Sequence, residues 1–500
     1  MATYYVRHDG EILAANKASA TSASSASTSL NITQHNACTF LPDDTIVISV
    51  NGGTYYDVGL AAPTAGTDGH QIVYEFDETV SFRGATLFDS GWSVSDGDVY
   101  EVAATTQVED LHYDETQGAL QVSAAACTAT GHWYWESNVL YLYCSSGNPG
   151  TVYTTPGVEG STVTYPINLN AYNTANGNGC DVRYATGSGI YVSGGGTGTR
   201  IGAIIRDFTI HEIKYGYGGA DYGIRLQKAP YTLIQRCEVY HCGWNGMSLA
   251  ALWGSGAHAV AGIVVEECVV HDNPHNGFDV QTAPDACTIT DFTIRRCRAY
   301  NNGNTGIYFQ NSETTGNGAT ECYVYNNISY NNSNNGIGLN AVLTTDTFDD
   351  SVVVGNTCYN NGGDGGWGQG IFVHGDDCVI KNNICYANNP GAASDFEIYV
   401  TGDRNVVDYN LAYNDSAPSG DLYHDDGTDY THAEYQSFGQ QIHGLCEDPK
   451  FTDPESGDFT LQSDSPCIGA GEDLGAPYNV AIMSGSSWPD SVTTGDRDDY

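Results

Sequence analysis

Positive charge is what this sequence has least of. Seventeen Lys and Arg, five of them Lys, stand against 60 Asp and Glu, for a formal charge of −43. Such a surface repels phosphodiester backbones and anionic lipid, which excludes nucleic acid and membrane as partners. It suits plain solubility, high-salt conditions or divalent cations. Long apolar runs are missing too: no stretch of about 18 apolar residues is present to cross a bilayer as a helix. Met1 leads directly into TYYVRHDG, without a charged and then apolar leader, so no signal peptide is visible. An extracellular site of action would then need release by lysis or carriage on a virus particle. The 15 cysteines show no CxxC or Cys/His metal spacing, and their odd number argues against a full disulfide framework. Helical phrases are scarce, while 60 Gly, 35 Tyr and only 15% charged residues describe turn-dense β structure.

What is present is a repeat. Between Ile204 and about Tyr413 one phrase recurs eight times: IIRDFTIHEI, LIQRCEVYHC, VVEECVVHDN, TIRRCRAYNN, YVYNNISYNN, VVGNTCYNN, VIKNNICYAN, VVDYNLAYND. One column runs Phe208, Cys237, Cys268, Cys297, Asn327, Asn356, Asn383, Asn410, with spacings of 29, 31, 29, 30, 29, 27 and 27. A period near 30 with three short β segments predicts one solenoid coil per repeat, stacked at roughly 4.8 Å. The fold expected is a right-handed parallel β-helix. The Asn column predicts an amide ladder, and Cys237, Cys268, Cys297, Cys322, Cys358 and Cys385 predict stacked buried thiols.

The remaining chain divides around this repeat. Residues 1–58 give a first strand, a small-residue stretch (18–29) read as a short capping helix, and DDTIVISV followed by GGTY as the first coil. This opening resembles the N-terminus of right-handed β-helix polysaccharide-active proteins. Residues 59–160 break the period and alternate like antiparallel strands. Trp133, Trp135, Tyr141 and Tyr143 there form either a sugar-stacking platform or, the favoured reading, the packing of the insert. Residues 161–445 carry the parallel coils, regular over 204–413. Residues 446–483, which include EDPKFTDPESGDFTLQSDSPCIGAG (447–471), resemble the closing segment of β-helix proteins and are expected to cap the open end, with 484–500 as a solvated tail.

Outward positions of the Gly-led strands carry the candidate chemistry. Ile224, Met247, Phe278, Ile307, Ile337 and Ile371 point in. The next position points out: Arg225, Ser248, Asp279, Tyr308, Gly338, Phe372. Two residues further stand Gln227, Ala250, Gln281, Gln310, Asn340 and His374. That polar file reads either as a row for saccharide hydroxyls or as amides bonding one another. Enlarged loops at 214–223, 251–262 and 361–370 would wall a groove, with Lys214, Tyr217, Asp221, His241, Trp244 and His275 on its rim. Ten of the 17 bases lie between Arg183 and Arg298, which favours a locally held anionic substrate.

HDNPHNGFDVQT (271–282) resembles the active-site coil of alginate C5-epimerases. Gly277, Phe278 and Asp279 match; Val280 and Gln281 replace a Pro and a His, and Asn276 a Tyr. HGDDCVIKN resembles the paired Asp of polygalacturonases, but that family's other motifs are missing, so Asp376 and Asp377 read as turn residues. The resemblance to β-helix lyases and epimerases implies a polysaccharide partner and a set of roles. Arg225, or Ca²⁺ held by Asp279 and Asp221, would neutralise a uronate carboxylate. His275, His241 or Lys214 would be the base, and Tyr308 the acid. A glycoside hydrolase of phage depolymerase type, with two carboxylates roughly 5–9.5 Å apart, is the alternative. A non-catalytic glycan-binding adhesin is the third reading. β-Helix depolymerases are often trimers, although no trimer seam shows in the sequence.

Overall fold

The computed structural model describes residues 2–474 apart from 50–53, 68–69, 78–79, 170–172, 194–201, 214–220, 250–257, 282–286, 312–317, 342–346, 364–367, 389–395 and 416–419. The chain forms two compact units. The first comprises Met1–Gly195, Arg200–Ala229 and Cys237–Ser248; the second comprises Gly196–Thr199, Pro230–Arg236 and Leu249–Tyr500.

In the first unit Thr3–Arg7 pairs in parallel with Thr45–Ser49, which pairs with Ile72–Phe76, and this with Asn173–Arg183. Ile204–His211 and then Glu238–Tyr240 extend the stack. A second parallel sheet runs Leu60–Ala61, Ile167–Leu169, Ser188–Ser193 and Tyr222–Gln227. The expected capping helix over the Ala/Ser stretch does not form. Short 3-10 turns occupy Ala14–Ser19 and Ala26–Thr28, and the α-helix is Ile32–Asn36, capped by Asn31. The reason is local: the Thr28 hydroxyl bonds the Ser22 and Ser25 carbonyls and Ser29 bonds that of Ser25, satisfying the backbone without a helix.

Parallel pairing also persists further than the sequence pattern indicates. Ser81–Arg83 still pairs in parallel with Asn173–Arg183, so the antiparallel insert runs from Ala85 to Ser161 rather than from 59. One of its sheets orders Thr116–Gln117, Leu111–Tyr113, Val158–Ser161 and Ala85–Leu87; the other orders Ala119–Leu120, His132–Glu136, Val139–Tyr143, Val99–Ala103 and Ser93–Asp96. Between them lie Trp92, Val102, Leu111, Trp133, Leu140 and Leu142. Trp133 is 1% exposed, and Trp135 packs against the same core while its Nε1 donates to the Ala104 carbonyl. These two rings hold the insert together.

The insert is tied down by buried charge. Arg83 reaches Glu159 at 2.6 Å and Glu115 at 3.1 Å; Arg183 reaches Glu115, and the Tyr184 hydroxyl donates to Glu115 at 2.8 Å. Burial raises the Glu159 carboxyl above its ordinary pKa even with Arg83 beside it. Removing one member of a buried pair strands the other, at about 3–5 kcal/mol. Arg83→Ala should therefore lower the unfolding free energy read from urea denaturation by that amount, and Arg83→Met with Glu159→Leu should recover most of it.

In the second unit the coils stack in strict register. Phe278, Ile307, Ile337, Ile371 and Ile398 form one inward column, and Val280, Phe309, Leu339, Val373 and Val400 another, none more than 1% exposed. Each such side chain contributes about 1.5–3 kcal/mol on leaving water. The Asn ladder forms as expected: Asn327, Asn356, Asn383 and Asn410 pass amide hydrogen bonds of 2.9–3.0 Å along the stack. A second ladder runs Asn273, Asn302, Asn332, Asn361, Asn388 and ends on the buried carboxylate of Glu397. Cys358 and Cys385, both buried, occupy matching positions on adjacent strands.

The last coil is closed differently from expectation. Gln441, within the loop after the repeats, accepts from both the backbone and the side chain of Asn410, replacing the next rung. The helix His432–Phe438 carries a Thr431/Glu434 capping box, ends at Gly439 (φ 103°), and lays Tyr435 on Tyr423 at 4.7 Å. Segment 446–474 instead packs alongside the coils. Phe451 and Leu461 cover Ile384 and Leu411, Phe459 sits against Tyr330 and Tyr359, and Lys381 pairs with Glu472.

Candidate functional site

Strand Phe278–Gln281 alternates: Phe278 and Val280 are buried at 0% in the core, so Asp279 and Gln281 belong to the opposite face. In register with Asp279 follow Tyr308, Gly338, Phe372, Tyr399 and His424, and in register with Gln281 follow Gln310 and Asn340. Asp279 is nonetheless 4% exposed. Asn276 Nδ2 donates to its Oδ1 at 2.9 Å, and that amide is fixed by the Thr305 N–H, which donates to Asn276 Oδ1 at 3.1 Å. Burial pushes the Asp279 carboxyl up to about 7, against the opposing hydrogen bond from Asn276.

Tyr308 stands beside it. Burial raises its phenol above the ordinary value, the Asn340 amide donates to its oxygen at 3.2 Å, and the charge of Asp279 raises it further. Gly338, the next position, leaves the column bare; a Cβ there would come within 3.2 Å of the Tyr308 ring. His275 lies in the turn before Asp279. Asn334 donates to Asn304 Oδ1, which orients the Asn304 amide to donate to His275 Nε2 at 3.1 Å. His275 Nε2 is then the acceptor, and burial lowers this imidazole's pKa, so the ring is neutral at neutral pH. Gln281 donates to Gln310 at 3.4 Å, so that rung is partly spent within the sheet. His374 continues the face opposite Thr401.

The first unit holds the other candidates. Arg225 lies in register with Tyr191 and Ser248, and its guanidinium sits 5.9 Å from the Tyr191 ring centre and 5.5 Å from that of Tyr222. Gln227 accepts from the Tyr191 hydroxyl. Asp221 is buried, its carbonyl accepting from the Trp244 N–H, while the Trp244 side chain is 40% exposed. His241 is held by Glu212 at 2.9 Å. Asp279 and Asp221 thus belong to different units. Lys214 and Tyr217 lie outside the described residues, as do most of the three enlarged loops.

Sequence reasoning missed the charged cluster that surrounds Arg83 in the first unit. Beyond the ties to Glu115 and Glu159 it includes Arg183–Asp181 at 3.0 Å and His211–Asp181 at 2.9 Å. His112 is 2% exposed, between Asp110 (3.6 Å) and Glu212 (3.8 Å). Its paired members are up to 100 residues apart in sequence, as His112 and Glu212 are, and share no motif, so no local signal marks them. Among the described residues no group of three or more His, Cys, Asp or Glu could hold a metal ion.

The family model for the right handed beta helix region matches residues 158–340. The chain is a right-handed parallel β-helix. No curated protein sequence matches this β-helix. Solved structures similar to it include a pectate lyase, Pel9A, with 14% identity, 94% of this chain and 92% of that one covered, and a TM-score of 0.44. A complex of XylC with xylose shows 13% identity, 85% and 69% coverage and a TM-score of 0.48. A mannuronan C-5 epimerase module from Azotobacter vinelandii shows 15%, 77%, 84% and 0.39. At such identities no activity carries across to this β-helix. Among the described residues no helix is long and apolar enough to cross a membrane.

Proposed function

We propose that this β-helix is a carbohydrate-active enzyme, a lyase or epimerase acting on a uronate-containing polysaccharide laid along the outer face of strands Phe278–Gln281 to Ile398–Thr401. The observation that carries the reading is the Asp279 carboxyl, buried and poised near pKa 7 at the start of the file that continues through Tyr308, Gly338, Phe372, Tyr399 and His424. A group with a pKa near working pH is the one that moves protons fastest in both directions. Asp279 takes the C5 proton of the uronate. In elimination the C5 electron pair forms the C4–C5 double bond, the C4–O bond breaks, and the Tyr308 phenol, kept protonated by burial, gives its proton to the departing oxygen. In epimerisation the C4–O bond stays intact and the Tyr308 phenol gives its proton to C5 from the other face instead. Hydrolysis is the alternative reading and needs a second carboxylate roughly 5–9.5 Å from Asp279.

The test is to incubate the protein with alginate, pectate, glycosaminoglycans and neutral glycans, following ultraviolet absorbance of unsaturated uronate ends together with new reducing ends. Rising absorbance on a uronate polymer is expected from elimination. New reducing ends without absorbance would replace the proposal by hydrolysis. A panel without either, and with C5 configuration unchanged by NMR, would overturn it.

A further inference from the structure

We infer that the insert of the first unit carries a binding site for a neutral glycan on the outer face of its five-stranded sheet. In strands His132–Glu136 and Val139–Tyr143 the core side is taken by Trp133, Trp135, Leu140 and Leu142. Alternation therefore places His132, Tyr134, Tyr141 and Tyr143 together on the opposite side. Tyr134 stands directly across from Tyr141, and Tyr141 across from Glu101. Four ring side chains on two neighbouring strands make a block about 5 by 7 Å in its backbone footprint, the scale of a sugar ring.

Two observations separate this block from ordinary surface aromatics. On the coils, rings in register stack on one another: His271 on Tyr300 at 4.6 Å, Tyr300 on Tyr330 at 4.9 Å. Among the described residues none of the four insert rings stacks on another ring, and each is partly exposed. Polar groups lie next to them: the Tyr143 hydroxyl donates to Asp98 at 3.1 Å, and Glu101 is half-buried beside Tyr141. Aromatic faces flanked by fixed carboxylates match the apolar C–H face and the hydroxyl rim of a pyranose.

Charge decides which glycan. Residues 85–161 contain ten Asp and Glu and no Lys or Arg. A uronate polymer would meet only repulsion here, whereas a neutral glycan loses nothing by approaching. The inference does not rest on the catalytic reading, since none of its residues belongs to the Asp279 file.

Electrophoresis of the full chain through native gels containing β-glucan, xylan, galactomannan or alginate tests it. The wild type should be retarded by at least one neutral glycan. Tyr134→Ala with Tyr141→Ala should weaken that binding about tenfold or more, at an unchanged thermal midpoint. Tyr134→Phe and Asp279→Asn should leave it intact. Three results would overturn the inference: no retardation by any neutral glycan, equal retardation of the double alanine variant, or a glycan-independent dimer abolished by that variant, which would make the face a self-association surface.

Discussion

Asn356→Leu should cost this protein about 2–6 kcal/mol, the largest effect expected of any single polar substitution in the second unit. The side chains are nearly isosteric, so packing changes little. What changes is hydrogen bonding at 0% exposure. Asn356 Oδ1 accepts from both the backbone N–H and the Nδ2 of Asn327, while its own Nδ2 donates to the Val324 carbonyl and to Asn383 Oδ1. Leucine leaves two buried donors without those acceptors, at about 1–3 kcal/mol each. Urea unfolding followed by circular dichroism reads the loss directly. A cost under about 0.5 kcal/mol would mean that the ladder fills the turn without supporting it.

Asp279→Asn should do the opposite to stability, and only above a certain pH. The folded-state carboxyl is raised by burial from 3.8 to about 7. Folding therefore favours the protonated form. That contribution is complete below the unfolded pKa, falls as the pH rises toward 7, and is gone beyond it. Integrated over the interval, ionising Asp279 costs the fold about 4 kcal/mol. Asparagine keeps the Oδ1 that accepts from Asn276 and never ionises. The variant and the wild type should unfold at similar urea concentrations near about pH 4, and the variant should be more stable by up to about 4 kcal/mol near about pH 8. A residue kept at that cost is kept for something other than the fold. Equal stability at both values would show that Asp279 titrates normally, removing the physical basis of the proposed chemistry.

The coils were legible from the sequence because stacking imposes a period. Identical rungs need identical residues, and Asn327, Asn356, Asn383 and Asn410 repeat at 27 to 29 residues. The second ladder ends outside the repeat phrase on Glu397, and Gln441 continues the first from within an aperiodic loop; neither follows from spacing. The strands Ile72–Phe76 and Ser81–Arg83 lack the phrase as well, which is why the insert seemed to begin at 59. The position of Asp279 on the outer face was readable from alternation alone. Its burial was not, since alternation says nothing of the turn that brings the Asn276 amide onto it or of Thr305 in the next coil, which fixes that amide. The cluster around Arg83 was unreadable for a similar reason: the partners of Arg83 lie 32 and 76 residues away, with nothing periodic to join them.

The most direct test of the account is the turnover of the responsive polysaccharide by Asp279→Asn beside the wild type at neutral pH. Removing a group that carries the proton should lower kcat by about a hundredfold to ten-thousandfold while the variant stays folded. Undiminished turnover by a folded Asp279→Asn would contradict the account, since the chemistry would then lie elsewhere on the β-helix.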